Sequence, residues 1–350
     1  KVAPLQRGFD LPTQNLVEGI YPVIYSNGIL QHHDKYKCEA PGLITGRSGT
    51  IGKFTYIDSG FYWPHNTSLW VTDFCGNCPK FIYYLYQTVH IEQFSTGSGV
   101  PTLNRNDVHR YKTFVPTAIV EQEKIAKFLS ILDERIATQN KIIERYKSLI
   151  RGINQYAFTN TGINYKLGEI CEIRSGYSGN QLTLKNGLKV SRIETISEHK
   201  VNMERVGYVA PFESSENYRL QIGDILFSNI NSVEYIGNTA FIDKDYNLYH
   251  GMNLLRLIPK KELVIPFYLY LVLNTNRLLN HFKTVCNKAV SQASINQTEL
   301  GKTIVLIPNL MNQNRICELF QTLYTKLEAE RYFISLLQGQ KQHLLRQMFI

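Results

Sequence analysis

The sequence predicts an α+β fold built twice: two tandem repeated domains, each followed by a long helix, with the two helices pairing as an antiparallel coiled coil. Three observations predict it. Residues from about 7 to 158 reappear, degenerate but in order, from about 175 to 349. The first part of each copy is punctuated by strand and turn signals. The second part carries an uninterrupted heptad pattern.

The repeat rests on anchors at nearly constant offsets. Gly8, in Arg7-Gly8-Phe9, answers to Gly176, in Ser175-Gly176-Tyr177. Gly52, Asp58 and His65 answer to Gly237, Asp243 and His250 at one offset, 185 residues (250 − 65). Phe81, Tyr84 and Leu85 match Phe267, Tyr270 and Leu271, while Leu103, Asn104, Asp107, Val108 and Pro116 match Ile295, Asn296, Glu299, Leu300 and Pro308. The offset drifts where loops differ in length. A unit this long is no solenoid repeat of ~20 to 50 residues, and each copy can bury its own core. The expected layout is a first domain over 1–115, a first long helix over 116–160, a second domain over 161–307 and a second long helix over 308–350. The second copy opens with Tyr165-Lys166-Leu167-Gly168-Glu169-Ile170, for which the first copy has no room. The chain also begins without Met, so the expectation is a trimmed chain with a strand or so missing from the front.

Short β-branched and aromatic runs mark the strands: Leu43-Ile44-Thr45, Phe54-Thr55-Tyr56-Ile57, Ile225-Leu226-Phe227 and Ala240-Phe241-Ile242, separated by Gly, Asn and Pro. A Pro followed by a helical-length apolar stretch predicts helices over 79–89 and 266–282. After Pro116 and Pro308 the pattern turns helical and stays so. One seam reads Leu129, Leu132, Ile136, Gln139, Ile143, Tyr146, Ile150, Ile153, Ala157; the other reads Phe320, Leu323, Leu327, Glu330, Ile334, Leu337, Lys341, Leu344, Met348. The spacing alternates three and four, a heptad. Both seams put a polar residue, Gln139 and Glu330, in the same slot, where it can fix register at some cost in stability. About 38 residues at ~1.5 Å each is roughly 57 Å, longer than a small domain is wide, so the helices are expected to pack on each other.

Composition bounds the function. Hydrophobic residues make up 43% and charged residues 19%, the balance of a globular protein, and no run approaches the ~18 apolar residues of a membrane span. A formal net charge of +9 suits a polyanionic partner. Of the six cysteines, Cys38, Cys75, Cys78, Cys171, Cys286 and Cys317, only Cys75 and Cys78 have ligand-like spacing, and nothing nearby completes a zinc set. Reduced thiols in a cytoplasmic protein are the plainer reading. Enzyme motifs fail in detail. Between Gly46 and Gly52 there are five residues where a P-loop needs four, and Phe54 stands where Ser or Thr must meet magnesium. No Asp/Asn-Pro-Pro-aromatic tetrapeptide or glycine-rich strand-to-helix turn suits methyl transfer. His65 and His250 lack a carboxylate or Cys at catalytic spacing. No catalytic residue, metal or cofactor is expected.

Two related domains on a helical spacer would present two surfaces at fixed separation, the geometry of two-part DNA sites whose halves lie ~34 Å or a multiple apart. The chain resembles the specificity (S) subunits of type I restriction-modification systems. The resemblance spans essentially the whole chain. It rests on the tandem layout, on Gly46-Arg47-Ser48-Gly49-Thr50-Ile51-Gly52 with the following strand and Asp58, on Ser98-Gly99-Val100-Pro101-Thr102-Leu103-Asn104, and on the Pro116 to Gln122 lead-in to a long helix. It implies two target-recognition domains, each reading one half of a split site in double-stranded DNA, with methyltransferase (M) and restriction (R) subunits binding to the chain and doing the chemistry. The second copy's counterpart of the glycine motif, Ser228 to Gly237, is longer and has lost most glycines.

Short polar side chains on glycine-rich loops can approach bases and phosphates closely. In the first domain the DNA-contacting candidates are Tyr25, Ser26, Asn27, Arg47, Ser48, Thr50 and Lys53, with Arg47 foremost, joined by His65, Ser98 and Thr102. The second-domain candidates are Ser191, Arg192, Ser228, Asn229, Asn231, Ser232, His250, Ser291 and Gln292. For each the alternative is a turn residue satisfying its own backbone. Two other functions compete with the DNA-recognition subunit: a coiled-coil scaffold with two protein-binding domains, and an enzyme with an unrecognised site.

Overall fold

The computed structural model describes residues 2–97, 99–158, 162–183, 186–197, 199–288 and 292–349. The chain divides into two compact units, Lys1–Ile142 with Glu330–Ile350, and Ile143–Ala329. Each holds one β-rich domain and a stretch of both long helices.

In the first unit the strands are β1 (Leu5–Arg7), β2 (Tyr21–Tyr25), β3 (Gly28–His33), β4 (Cys38–Glu39), β5 (Gly42–Gly46), β6 (Phe54–Ile57), β7 (Phe61–Pro64) and β8 (Ser68–Val71). They form two sheets, ordered β1-β8-β5-β6 and β3-β2-β7-β4. The first sheet is antiparallel; in the second, β2 and β7 run parallel, with Val23 opposite Trp63. Helix α1 (Pro79–Thr88) starts with Pro at its first turn, where a missing N–H costs nothing. Its Phe81, Ile82, Leu85 and Tyr86 pack with Leu5, Leu43, Leu69 and Val71 of the first sheet. Each such side chain contributes about 1.5–3 kcal/mol by burial, so Phe81→Ala would strip out one of the largest pieces of this core. Two short strands, β9 (Ser95–Thr96) and β10 (Thr102–Leu103), pair with each other, and a single helical turn, α2 (Arg105–Val108), follows.

The long helix α3 (Ile119–Tyr156) then begins. In the second unit come β11 (Ile163–Lys166), α4 (Leu167–Ile170), β12 (Cys171–Ser175), β13 (Leu188–Val190), β14 (Gly207–Val209), β15 (Ile225–Phe227), β16 (Ile230–Asn231), β17 (Thr239–Phe241) and β18 (Leu255–Pro259). After them lie α5 (Pro266–Leu273), α6 (Asn276–Val285), β19 (Asn287–Lys288), β20 (Ala293–Ser294), α7 (Gln297–Gly301), β21 (Ile304–Ile307) and the second long helix, α8 (Leu310–Met348). The main sheet, β12-β18-β15-β17, repeats the order of β1-β8-β5-β6. Its register repeats too. Arg7 and Thr45 both lie opposite Leu69, as Ser175 and Phe227 lie opposite Leu255.

Backbone geometry accounts for two anchor pairs. A Cβ on Gly8 would sit 2.2 Å from the His65 carbonyl oxygen, and one on Gly176 would sit 1.9 Å from that of Gly251, so neither site admits a side chain. Gly52 and Gly237 both hold positive φ, +83° and +85°, a conformation other residues rarely adopt. The anchor pairing of His65 with His250 is corrected by the structure. Phe9 bridges His65 where Tyr177 bridges Gly251, so Gly251 occupies the place of His65 and His250 that of Pro64. The expected helix over 266–282 is also two helices: the Asn274 amide turns back to the Tyr270 carbonyl (2.7 Å) and Thr275 caps α6 by accepting from the Leu278 N–H.

Both heptad seams face inward. In the first unit Leu129 and Leu132 of α3 pack with Leu345 of α8, and Lys341 reaches Asp133 (2.6 Å), an antiparallel pairing. The Gln139 amide donates to the Glu330 carboxylate, so the two polar seam residues satisfy each other. In the second unit Ile143 and Ile150 of α3 are buried, as are Phe320, Leu323 and Leu327 of α8.

One buried glutamine recurs at the root of each helix. Gln122 Nε2 donates to the Pro116 carbonyl (2.7 Å) and to Asn77 Oδ1 (2.8 Å), while its Oε1 accepts from the Cys78 N–H (2.9 Å), just ahead of α1. Gln313 Nε2 donates to the Pro308 (2.8 Å) and Leu263 (3.1 Å) carbonyls, and its Oε1 accepts from the Ile265 N–H (2.7 Å), just ahead of α5. The helix root and the domain helix are thereby tied together twice in the chain. One element does not repeat among the described residues. β21 pairs with β11, whereas its first-unit counterpart, Lys112–Val115, has no strand partner and leaves Phe114 89% exposed.

Candidate nucleic-acid interface

In the first unit, loops distant in sequence meet at one end of the sheets. The β2–β3 turn brings Ser26, whose N–H donates to Thr67 Oγ1 (3.3 Å). The segment after β5 brings Arg47, whose N–H donates to the Thr67 carbonyl (2.9 Å) and whose carbonyl accepts from the Leu103 N–H (2.7 Å). Gly49 N–H donates to the Pro101 carbonyl (3.1 Å), and Ser48 bridges Thr102. The turn, the glycine-rich loop and the 99–102 loop, separate in the sequence, thus form one cluster. Asn27, Thr50, Lys53 and Thr102 are exposed; Tyr25, Ser26, Arg47 and Ser48 are half-buried. Ser98 lies outside the described residues.

His65 stacks beside Tyr25, with ring centroids 4.3 Å apart, and its Nδ1 accepts from the Thr67 N–H (3.3 Å). Burial holds its pKa below the ordinary histidine value, so the ring is a neutral prop for the Tyr25 turn at pH 7. Tyr25 in turn donates its hydroxyl to Gln31 Oε1 (2.7 Å).

The second unit builds the corresponding surface with different side chains. Val190 bridges Tyr249 as Val23 pairs with Trp63, which sets Arg192 in the place of Tyr25. Asn229 takes the place of Arg47, its carbonyl accepting from the Ile295 N–H (2.9 Å). Asn231 spends its side chain on its own turn, donating to Ser228 Oγ (3.1 Å) and accepting from the Ser232 N–H (2.8 Å). Arg192, Ser232 and Gln292 are exposed; Ser291 lies outside the described residues.

Three second-unit candidates are corrected by burial. Ser191 is fully buried and its Oγ accepts from the Gly251 N–H (3.0 Å). Ser228 is fully buried beneath the Asn231 turn. His250 is 1% exposed, donates Nε2–H to the Leu254 carbonyl (3.0 Å), and has its pKa pushed by burial down to about 4. All three hold strands and turns together from inside and cannot reach DNA.

The structure adds residues that no sequence motif marked. Beside the first-unit cluster lies a cleft of ≈ 720 Å³ lined by Arg7, Gly8, Asp10, Arg47, Thr102 and Arg105 among others. Arg7 pairs with Asp10 (2.7 Å), and the Asn66 amide also donates to Asp10. Arg105 is the first residue after the Asn104 cap of α2. Its only sequence signal is adjacency to the Leu103-Asn104 anchor. Among the described residues no group of three or more His, Cys, Asp or Glu is placed to hold a metal ion, and no helix is long and apolar enough to cross a membrane.

Comparison with known proteins agrees with this architecture. In Methanocaldococcus jannaschii, a putative type I restriction enzyme MjaX specificity subunit is 38% identical over 188 residues, covering 53% of this chain and 44% of that protein. From the same organism, the type I restriction enzyme MjaVIII specificity subunit is 25% identical over 283 residues, covering 71% and 65%. The matched stretch thus spans less than two thirds of either relative. A crystal structure of a type I restriction-modification S subunit from M. genitalium superposes with a TM-score of 0.63 at 17% identity, covering 99% of this chain and 94% of that one. A chain from a structure of type I R-M complex assembly and conformational transition gives 0.61 at 16%, covering 99% and 95%. At such identity these two show a shared fold. The model of the type I restriction modification DNA specificity domain matches residues 2–147 and again 163–333, and the chain belongs to that family.

Proposed function

We propose that the chain is the non-catalytic subunit that reads a bipartite DNA site, one half per β-rich domain, with the gap set by the long helices. The observation that carries this reading is the duplicated loop cluster. Equivalent backbone positions gather polar side chains in both units, Tyr25, Arg47 and Thr102 in one and Arg192, Asn229 and Ser294 in the other. The same scaffold with different readers suits two different half-sequences. Sequence is read by such side chains at base edges, while phosphates fix register.

In this reading methyltransferase subunits dock on the helices, flip the target base from the stack and modify it, and restriction subunits join the same assembly. Apolar residues outside the seams support docking there: Phe128, Ile131, Phe333 and Leu336 are exposed in the first unit, Leu149 and Leu319 in the second.

Selection from a randomised duplex pool by the chain assembled with its methyltransferase tests the proposal. Two short fixed blocks around an unspecified gap are expected. One continuous block, or no enrichment by a properly assembled complex, would overturn it. Inserting one heptad in each helix should lengthen the gap by about 10 Å, roughly 3 base pairs, and leave both blocks unchanged.

A further inference from the structure

We propose that Arg47 and Arg105 form a phosphate clamp in the first domain that the second domain lacks, so the two halves of the DNA site are held by unequal ionic anchoring. The inference rests on the DNA-reading function above and names which backbone contacts serve it.

Three arginines line the first-unit cleft. Arg7 is engaged by Asp10, but neither Arg47 nor Arg105 has an ion-pair partner among the described residues. The Leu103 N–H to Arg47 carbonyl bond (2.7 Å) joins the segment that carries one to the segment that leads into the other. Two arginines without ion-pair partners lining one open cleft, next to loops whose glycines permit close approach, suit an anionic oxygen cluster that can accept two forked donors. Asp10 disfavours an anion at the Arg7 end, which places the phosphate between Arg47 and Arg105.

The second unit supplies an internal comparison. By strand register Ser175 stands where Arg7 does, both directly across from the equivalent leucines of the neighbouring strand. Asn229 stands where Arg47 does. Gln297, the first residue after the Asn296 cap of α7, stands where Arg105 does, and its amide is tied down to the Ile173 carbonyl (2.6 Å). All three arginines are replaced by neutral residues at equivalent places. The three charges that line this cleft in the first unit are thus all absent from the corresponding places of the second.

The test is the salt dependence of binding by the full chain, assembled with its methyltransferase, to a duplex carrying the selected site. Removing one phosphate contact should flatten the slope of log K against log salt by ~0.9. The double variant Arg47→Asn, Arg105→Gln, which installs the second unit's residues, should flatten it by roughly twice that, close to 2. Arg47→Lys, Arg105→Lys should keep most of the slope, and Lys261→Gln, an exposed lysine elsewhere, should leave it unchanged. Ethylation interference should disappear at phosphates of one half-site only. If the neutral double variant binds DNA with an unaltered slope, the clamp is wrong while the DNA-reading function stands. If it fails instead to assemble with the methyltransferase, the arginines serve a protein contact, and the clamp is equally wrong. Absence of any salt-dependent DNA binding by the unsubstituted complex would remove the underlying function as well.

Discussion

Replacing Gln122 by Leu should loosen the root of α3 and lower the stability of the first unit by about 1.5–4.5 kcal/mol. Three hydrogen bonds disappear, to the Pro116 carbonyl, Asn77 Oδ1 and the Cys78 N–H, each worth about 0.5–1.5 kcal/mol net. Leu is close in size, so little of the destabilisation comes from a cavity, and the side chain is only 2% exposed, so water cannot replace the missing partners. The assay follows from composition. The chain has two tryptophans, Trp63 and Trp70, both in the first unit, so their fluorescence reports unfolding of that unit alone. Gln122→Leu should shift the urea midpoint seen by tryptophan emission. Gln313→Leu removes the equivalent three bonds in the second unit and should shift the far-UV circular dichroism transition while leaving the tryptophan midpoint nearly in place. A Gln122→Leu change under about 0.5 kcal/mol, or equal tryptophan shifts from both variants, would show that the glutamines do not tie the helix roots to their domains.

Three further outcomes follow from buried polar groups. His250 has a folded pKa of about 4 against an ordinary 6.5, so the unfolded chain takes up the proton first; stability is full above about pH 6.5 and falls until about pH 4, by roughly 3 kcal/mol, in circular dichroism melts across that range. His250→Gln should flatten that dependence, and an unchanged profile would mean the histidine is not buried neutral. Asp224→Ala strands Arg256, paired at 2.6 Å with both side chains nearly fully buried, and should cost about 3–5 kcal/mol in chemical denaturation, with Arg256→Met in the same chain restoring much of it. Gln139→Leu alone leaves the Glu330 carboxylate without its partner and should lower the melting temperature; adding Glu330→Leu should raise it above the unsubstituted value, and a double variant no more stable than the single would refute the seam pairing.

Periodicity and backbone demand are the legible parts of the sequence. The heptad seams are visible because every third or fourth residue must be buried along a helix, whatever it packs against. Gly8 with Gly176, and Gly52 with Gly237, are visible because no other residue fits a close approach or a positive φ. Features that depend on pairing across space stay hidden in the residue order. His65 and His250 share chemistry but not position, since the second copy holds one more residue between Gly237 and Gly251 than the first holds between Gly52 and His65, and identity is a poor guide to register. Ser191 and Ser228 look like loop hydroxyls, yet adjacent strands cover them completely. Arg105 lies far from Arg47 in the chain, and backbone contacts between the Arg47 loop and the segment entering α2 bring the two together.

The pattern of agreement between the two copies bears on function. Residues that repeat faithfully are mechanical: the two glycine pairs, the helix-root glutamines and the proline starts of α1 and α5. On the loop cluster, equivalent backbone positions carry different polar side chains: Tyr25 against Arg192, Arg47 against Asn229, Thr102 against Ser294, and Arg105 against Gln297. A scaffold using both domains to hold one kind of protein partner would have reason to keep its contact loops alike, or to let change fall evenly over the surface. Two readers of different half-sites need the reverse, a fixed frame that presents altered side chains in unaltered places. Base recognition depends on placing a short donor or acceptor to within a few tenths of an ångström of a base edge. A duplicated fold can therefore change what it reads only by holding its backbone still, and on the proposed function that is the division of labour between the buried glutamines and the exposed loops.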